Sequence, residues 1–142
     1  MQYCKPILLV EDDRLTTMAF KSAIDELKVL NQLVHITDAE EALEYLKKSD
    51  SKKPCIIILD FNMAKTNGVE FVRTVKSSGT VKKIPIIVIT TWAKEQKAIE
   101  TLDLDITGFL TKPIDYKNLI EAVKTTDLYW TLTDSQTQSN WR

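Results

Sequence analysis

The sequence predicts an α/β protein built on a doubly wound, five-stranded parallel sheet of strand order 2-1-3-4-5. Three observations predict it. Short apolar runs alternate with longer amphipathic stretches along the 142 residues. Runs such as Ile56-Ile57-Ile58-Leu59 and Ile86-Ile87-Val88-Ile89 are apolar throughout, as strands buried on both faces are. Charged or polar residues end most runs abruptly, at Glu11-Asp12-Asp13, Asp60, Thr90 and Lys112-Pro113. Strands alternating with helices imply parallel pairing with helices on both faces, and right-handed crossovers leave few topologies.

Each element has its own signal. Ile7 to Val10 is a four-residue apolar run. From Leu15 to Leu27, Thr16 (by its methyl), Phe20, Ala23, Ile24 and Leu27 recur at helical spacing, with Asp13 as the expected cap. Leu33 to Ile36 is the second strand. Asp38 caps a helix to about Lys48 that turns Ala42, Leu43 and Leu46 inward, and Ser49 to Pro54 is a polar loop. Cys55 to Leu59 forms the third strand and ends at Asp60. Phe61 to Asn67 is irregular. Gly68 opens a helix carrying Val69, Val72 and Val75, which Ser77-Ser78-Gly79 closes. Pro85 starts the strand Ile86 to Ile89, followed by Thr90. Ala93 to Leu102 is helical but weakly amphipathic. Gly108 precedes the short strand Phe109 to Thr111, and Asp115 caps a last helix with Leu119, Ile120 and Val123 on one face. Residues 1–126 thus make one unit, and 127–142 are a helix end and a polar tail expected to fray.

Composition excludes several function classes. Nineteen basic and 20 acidic residues give a net charge of −1, without the basic excess of a nucleic-acid binder. No run approaches the roughly 20 apolar residues of a membrane span. No basic amphipathic helix suits a membrane surface, and no signal-peptide core precedes the first strand. A cytoplasmic location is expected. Cys4 and Cys55 lack metal or redox spacing and read as reduced structural thiols.

In open α/β sheets, ligands bind outside the carboxyl ends of the strands. The first strand brings Glu11 and Asp12 there, the third Asp60, the fourth Thr90 and the fifth Lys112. Strands one and three are neighbours in the expected order, so three carboxylates converge and require a cation. A small hard ion, Mg²⁺ or Mn²⁺, suits oxygen ligands and neutralises a phosphoryl oxygen. Asp60 is then placed as a carboxylate nucleophile that forms an acyl phosphate. Lys112 supplies a point charge and Thr90 a hydroxyl donor. Taken singly, the acidic pair reads as a helix cap, Thr90 as local backbone bonding and Lys112 as a loop residue. Their shared sheet edge favours the functional reading.

The segments Leu8-Leu9-Val10-Glu11-Asp12-Asp13, Ile58-Leu59-Asp60-Phe61-Asn62-Met63, Ile87-Val88-Ile89-Thr90-Thr91 and Gly108-Phe109-Leu110-Thr111-Lys112-Pro113 resemble the signatures of response-regulator receiver domains. The resemblance spans about residues 5 to 126 and implies a flavodoxin-like (βα)5 fold. It implies that Asp60 is the phosphoacceptor, that Asp12 binds Mg²⁺ directly and Glu11 through water, and that the backbone carbonyl of Asn62 is a third ligand. It also implies a switch pair, Thr90 and Phe109, and a cis peptide at Lys112-Pro113. Two departures stand out. Met63 is followed by Ala64 where the family usually has proline, which leaves the loop Ala64-Lys65-Thr66-Asn67-Gly68 without that fixed φ. Thr90 is followed by Thr91 and Trp92, and Trp92 is a candidate for controlling access to the site. His35 reads as an ordinary strand residue away from it.

Other readings fare worse. A phosphatase of the haloacid-dehalogenase type needs an acid/base carboxylate two residues after its nucleophile, where this chain has Asn62. A flavin-binding relative needs a Ser/Thr/Gly-rich phosphate loop, where this chain has Glu11-Asp12-Asp13. A receiver-like interaction module that is never phosphorylated would not need Asp60, Thr90 and Lys112 together. The expectation is therefore a single-domain receiver that is not an enzyme toward external substrates. It takes its phosphoryl group from a sensor histidine kinase or phosphotransfer protein and signals to a downstream protein by contact, or serves as a phosphorelay intermediate. The expected outgoing surface comprises the fourth helix, fifth strand and last helix. Leu128-Tyr129-Trp130 beyond it suggests a homodimer.

Overall fold

The computed structural model describes residues 4–48, 52–63, 67–128 and 131–132. Ten elements alternate: β1 (Ile7–Val10), α1 (Arg14–Leu27), β2 (Leu33–Ile36), α2 (Ala39–Lys47), β3 (Ile56–Asp60), α3 (Gly68–Lys76), β4 (Ile86–Thr90), α4 (Ala93–Glu100), β5 (Gly108–Thr111) and α5 (Tyr116–Thr125). All strands are parallel, in the order β2-β1-β3-β4-β5, as the sequence predicts. Among the described residues, no helix is long and apolar enough to cross a membrane.

Strand alternation divides the sheet's side chains between two cores. Ile7, Leu9, Ile56, Ile58, Ile87, Ile89 and Leu110 pack with Phe20, Ile24 and Leu27 of α1 and Leu119 and Val123 of α5. Leu8, Val10, Ile57, Leu59, Ile86 and Val88 pack with Ala42 and Leu46 of α2, Phe71, Val72 and Val75 of α3, and Ile99 of α4. Burial on both faces holds for β1, β3 and β4, whereas β2 is half-buried along its whole length. The exception follows from topology, because β2 is an edge strand.

Two strand ends differ from the sequence boundaries in a way that matters. Asp60 is the last residue of β3, paired with Ile89, and Thr90 is the last of β4, paired with Thr111. Both are held by the ladder rather than by loops. The helices differ in how firmly they are fastened. Asp13, Asp38, Asn67 and Asp115 cap α1, α2, α3 and α5 by accepting backbone N–H bonds at 2.8–3.1 Å. Each such cap is typically worth about 1 kcal/mol. α4 begins at Trp92 without a side-chain cap and buries only Ile99.

Gly108 shows what space permits at the start of β5. A Cβ built there would run into the Thr126 methyl. Gly108→Ala is expected to lower stability by about 1–3 kcal/mol, the usual cost of overpacking. Adding Thr126→Ser removes the methyl and keeps the hydroxyl, which bonds the Ala122 carbonyl at 2.6 Å, so the double variant should recover most of the loss. Additive losses in urea denaturation would refute the contact.

Candidate functional site

The carboxyl ends of β1, β3, β4 and β5 form one rim, and all five expected chemical groups stand on it. Asp60 is buried, at 2% exposure. The turn after β3 brings the Asn62 N–H onto Asp60 Oδ1 at 2.7 Å. The other oxygen, Oδ2, faces Lys112 Nζ at 3.4 Å. That separation exceeds the roughly 2.7–2.9 Å of a tight charge-assisted bond, so the ammonium is near the carboxylate without being clamped to it. Lys112 is placed from both sides: its N–H donates to the Thr90 carbonyl at 2.8 Å, and its bond to Pro113 is cis, as the resemblance implies.

Glu11 is the most perturbed acid in the site. Its side chain is fully buried. One oxygen, Oε2, accepts from the Asp13 N–H at 3.1 Å, while Oε1 finds no donor among the described residues. Burial, and then the neighbouring Asp60 side chain, push its pKa up to about 8. Burial beside Asp60 thus favours the protonated form, which relieves the repulsion between the two side chains. Asp12 stands exposed on the same loop. Asp13 is held below the usual carboxylate range, chiefly by its bonds from the Thr16 hydroxyl and N–H.

The convergence of three carboxylates is thus only partial. Glu11 and Asp60 are neighbours, but among the described residues no three His, Cys, Asp or Glu side chains gather closely enough to enclose an ion. The donor chemistry nevertheless fits a hard divalent cation. The set is all oxygen, and once its proton leaves, Glu11 Oε1 is a buried acceptor that a cation could meet. Asp12 and the Asn62 carbonyl are the remaining ligands such an ion would draw on.

Thr90 is fully buried. Its Oγ1 accepts a 3.3 Å bond from Gln96 Nε2 on α4. Phe109 is half-buried in β5 and packs on the same side of the sheet as α4. Trp92 is exposed at 65%, and Leu15 and Met18 on the first turns of α1 are exposed at 75% and 54%. Cys55 is buried and its thiol is pushed up to about 11 by that burial, which leaves it unreactive. Tyr129, Trp130 and the loop residues Ala64, Lys65 and Thr66 lie outside the described residues.

Two contributors were not legible in the motifs. Gln96 is one. The other is His35, whose expected separation from the site is not observed: its Nε2 lies 2.8 Å from the Glu11 carbonyl oxygen and 3.4 Å from Thr17 Oγ1. Strand order held the clue. β2 pairs with β1 so that His35 lies opposite Leu9, within reach of the acidic loop.

The family model for the response regulator receiver domain matches residues 7–124. The chain is 29% identical over 130 residues to response regulator Rcp1 of Synechocystis sp., covering 89% of this chain and 88% of that one. Among solved structures it is similar to the bacteriophytochrome response regulator RtBRR, with TM-score 0.83 and 28% identity over 90% of this chain and 81% of the other. It is also similar to the Mn²⁺-bound form of Rcp1, with TM-score 0.71 and 28% identity over 89% and 94%. The match begins with the first strand and reaches into the last helix, so it takes in the whole sheet, and the chain belongs to the response regulator receiver domain family.

Proposed function

We propose that this receiver takes a phosphoryl group onto Asp60 from a sensor histidine kinase or a phosphotransfer protein and signals to a downstream protein by contact. The observation that carries this reading is the state of Asp60: a buried carboxylate with one oxygen fixed by the Asn62 N–H and the other facing Lys112 Nζ. A carboxylate oxygen attacks phosphorus, the bond from phosphorus to the donor nitrogen breaks, and its electron pair returns to the imidazole. Asn62 orients the nucleophile and Lys112 meets a charged phosphoryl oxygen. A bound divalent ion, Mg²⁺ or Mn²⁺, would be held by Asp12, Asp60, the Asn62 carbonyl and, through water, Glu11, and would neutralise phosphoryl charge. The Mn²⁺-bound relative supports a site of this type.

Thr90 then turns its hydroxyl to a phosphoryl oxygen and Phe109 follows inward. Exposed Leu15, Met18 and Trp92 near the site fit a protein donor better than a small one, and Trp92 also limits water's access to the acyl phosphate. The receiver unit is residues 1–126, its output face is α4–β5–α5, and its turnover is confined to its own phosphorylation and dephosphorylation. A homodimer through that face and the segment after α5 belongs to the same reading, with the cytoplasm as its location. Acetyl phosphate with Mg²⁺ tests the central claim. Intact-mass measurement should find one hydroxylamine-labile phosphoryl group on the wild type and none on Asp60→Asn. Equal labelling of that variant would remove Asp60 from the role.

A further inference from the structure

Gln96 makes a pair of contacts that phosphoryl capture by Asp60 does not require. Thr90 and Thr111 are register partners at the ends of β4 and β5. Strand alternation puts both on the α4 side of the sheet, since Val88 belongs to the core on that side and Leu110 to the other. The Gln96 amide comes down from α4 between them. Its Nε2 donates to Thr111 Oγ1 at 2.7 Å and to Thr90 Oγ1 at 3.3 Å. Among the described residues, Gln96 is the side-chain partner of the Thr90 hydroxyl, and neither Asp60 nor Lys112 bonds it.

We infer that Gln96 is a positioning residue that holds Thr90 against α4 in the resting state and so sets how readily its hydroxyl turns to the phosphoryl group. The inference rests on the phosphoacceptor reading of Asp60. The two bonds are unequal, and the inequality matters. Gln96 keeps its shorter bond to Thr111 when Thr90 leaves, so no buried amide is stranded and the hold amounts to one weak hydrogen bond. α4 has few other ties to the sheet: Ile99 is its one buried residue, Trp92 supplies no side-chain cap, and Glu95 Oε1 accepts from the Thr91 N–H at 3.0 Å just beyond β4. Departure of Thr90 therefore removes one of the few polar ties between α4 and the end of β4, while Glu95 still holds Thr91 and Gln96 still holds Thr111. In this way a change at Asp60 reaches the helix without Gln96 touching the phosphoryl group.

A four-member cycle tests it with the full chain: wild type, Gln96→Met, Thr90→Val and the double variant. Methionine keeps the length of glutamine and removes its donors. The readout is the Mg²⁺-dependent affinity for beryllofluoride, the phosphoryl mimic. Gln96→Met should bind about three- to tenfold more tightly than wild type, the equivalent of one neutral hydrogen bond. In the Thr90→Val background the same substitution should change nothing. Unchanged or weaker binding by Gln96→Met overturns the inference, and so does an equal gain in both backgrounds, which would mark a packing effect. Gln96→Ala, judged by the same two criteria, serves if the methionine variant does not fold by circular dichroism. Failure of the wild type to bind beryllofluoride would overturn the phosphoacceptor reading itself, and Gln96 with it. Normal wild-type binding with no effect of Gln96→Met would overturn the hold alone.

Discussion

Lys112→Ala is expected to slow phosphoryl labelling of Asp60 by about 10²–10³-fold, the usual cost of removing one preorganised group that meets developing charge. The argument rests on placement. Lys112 follows β5 directly, with its N–H on the Thr90 carbonyl and its ammonium 3.4 Å from Asp60 Oδ2. It costs no reorganisation when a phosphoryl group arrives, because it already stands beside the reacting carboxylate. The slack in the pair leaves the ammonium able to shift from carboxylate to phosphoryl oxygen. Alanine removes the charge and leaves both Asp60 and the incoming group unmatched. Labelling with acetyl phosphate at saturating Mg²⁺, followed by intact mass over time, measures the rate. A rate within tenfold of wild type would confine Lys112 to steadying resting Asp60.

The metal-free protein should lose thermal stability as pH rises from about 5 to about 8, and Glu11→Gln should abolish that slope. Unfolded, Glu11 titrates near 4.5; folded, it titrates near 8. Between those values the folded chain binds more protons than the unfolded one, so stability falls as pH rises, and above the folded value it levels off. The cause is burial beside Asp60, which disfavours a second negative charge. Glutamine is nearly isosteric and cannot ionise, so the difference between the two proteins isolates this group from every other titration. Saturating Mg²⁺ should flatten the wild-type slope, because an ion meeting these oxygens rewards the deprotonated form. Melting temperatures across this range in EDTA and in Mg²⁺ decide it. Parallel profiles for wild type and Glu11→Gln would mean that Glu11 is already ionised in the empty protein.

How much of this was legible in the sequence depended on range. Apolar runs such as Ile56 to Leu59 and the capping residues Asp13, Asp38 and Asp115 carry short-range information, and strand order, caps and the five chemical groups followed from them. Asp12, Glu11, Asp60, Thr90 and Lys112 were recognisable because each ends or follows an apolar run, and strand ends meet in space. What escaped depended on contacts between elements. The half-burial of β2 reflects its position at the edge, not the composition of Leu33 to Ile36. Gln96 lies in a weakly amphipathic helix, where one polar residue resembles another until β4 and β5 are placed beneath it. His35 looked inert because its partner is a backbone carbonyl, which no side-chain pattern announces. Asp12 stands exposed while Glu11 and Asp60 are buried, a difference set by the path of the loop after β1 that composition cannot show.

The sheet is also a partition wall. Packing against α1 and α5 sits on one side of it, and packing against α2, α3 and α4 on the other. Thr90, Phe109 and Gln96 report to the second compartment, while Leu15 and Met18 decorate a helix rooted in the first. If α1 faces the donor, as proposed, substitutions on its exposed side reach Thr90, Phe109 and Gln96 only through the sheet, whereas α5 shares a core with α1 and feels them directly. Of the proposed output face, the α4 part is thus insulated from α1 by a boundary without a shared interior, and the α5 part is not.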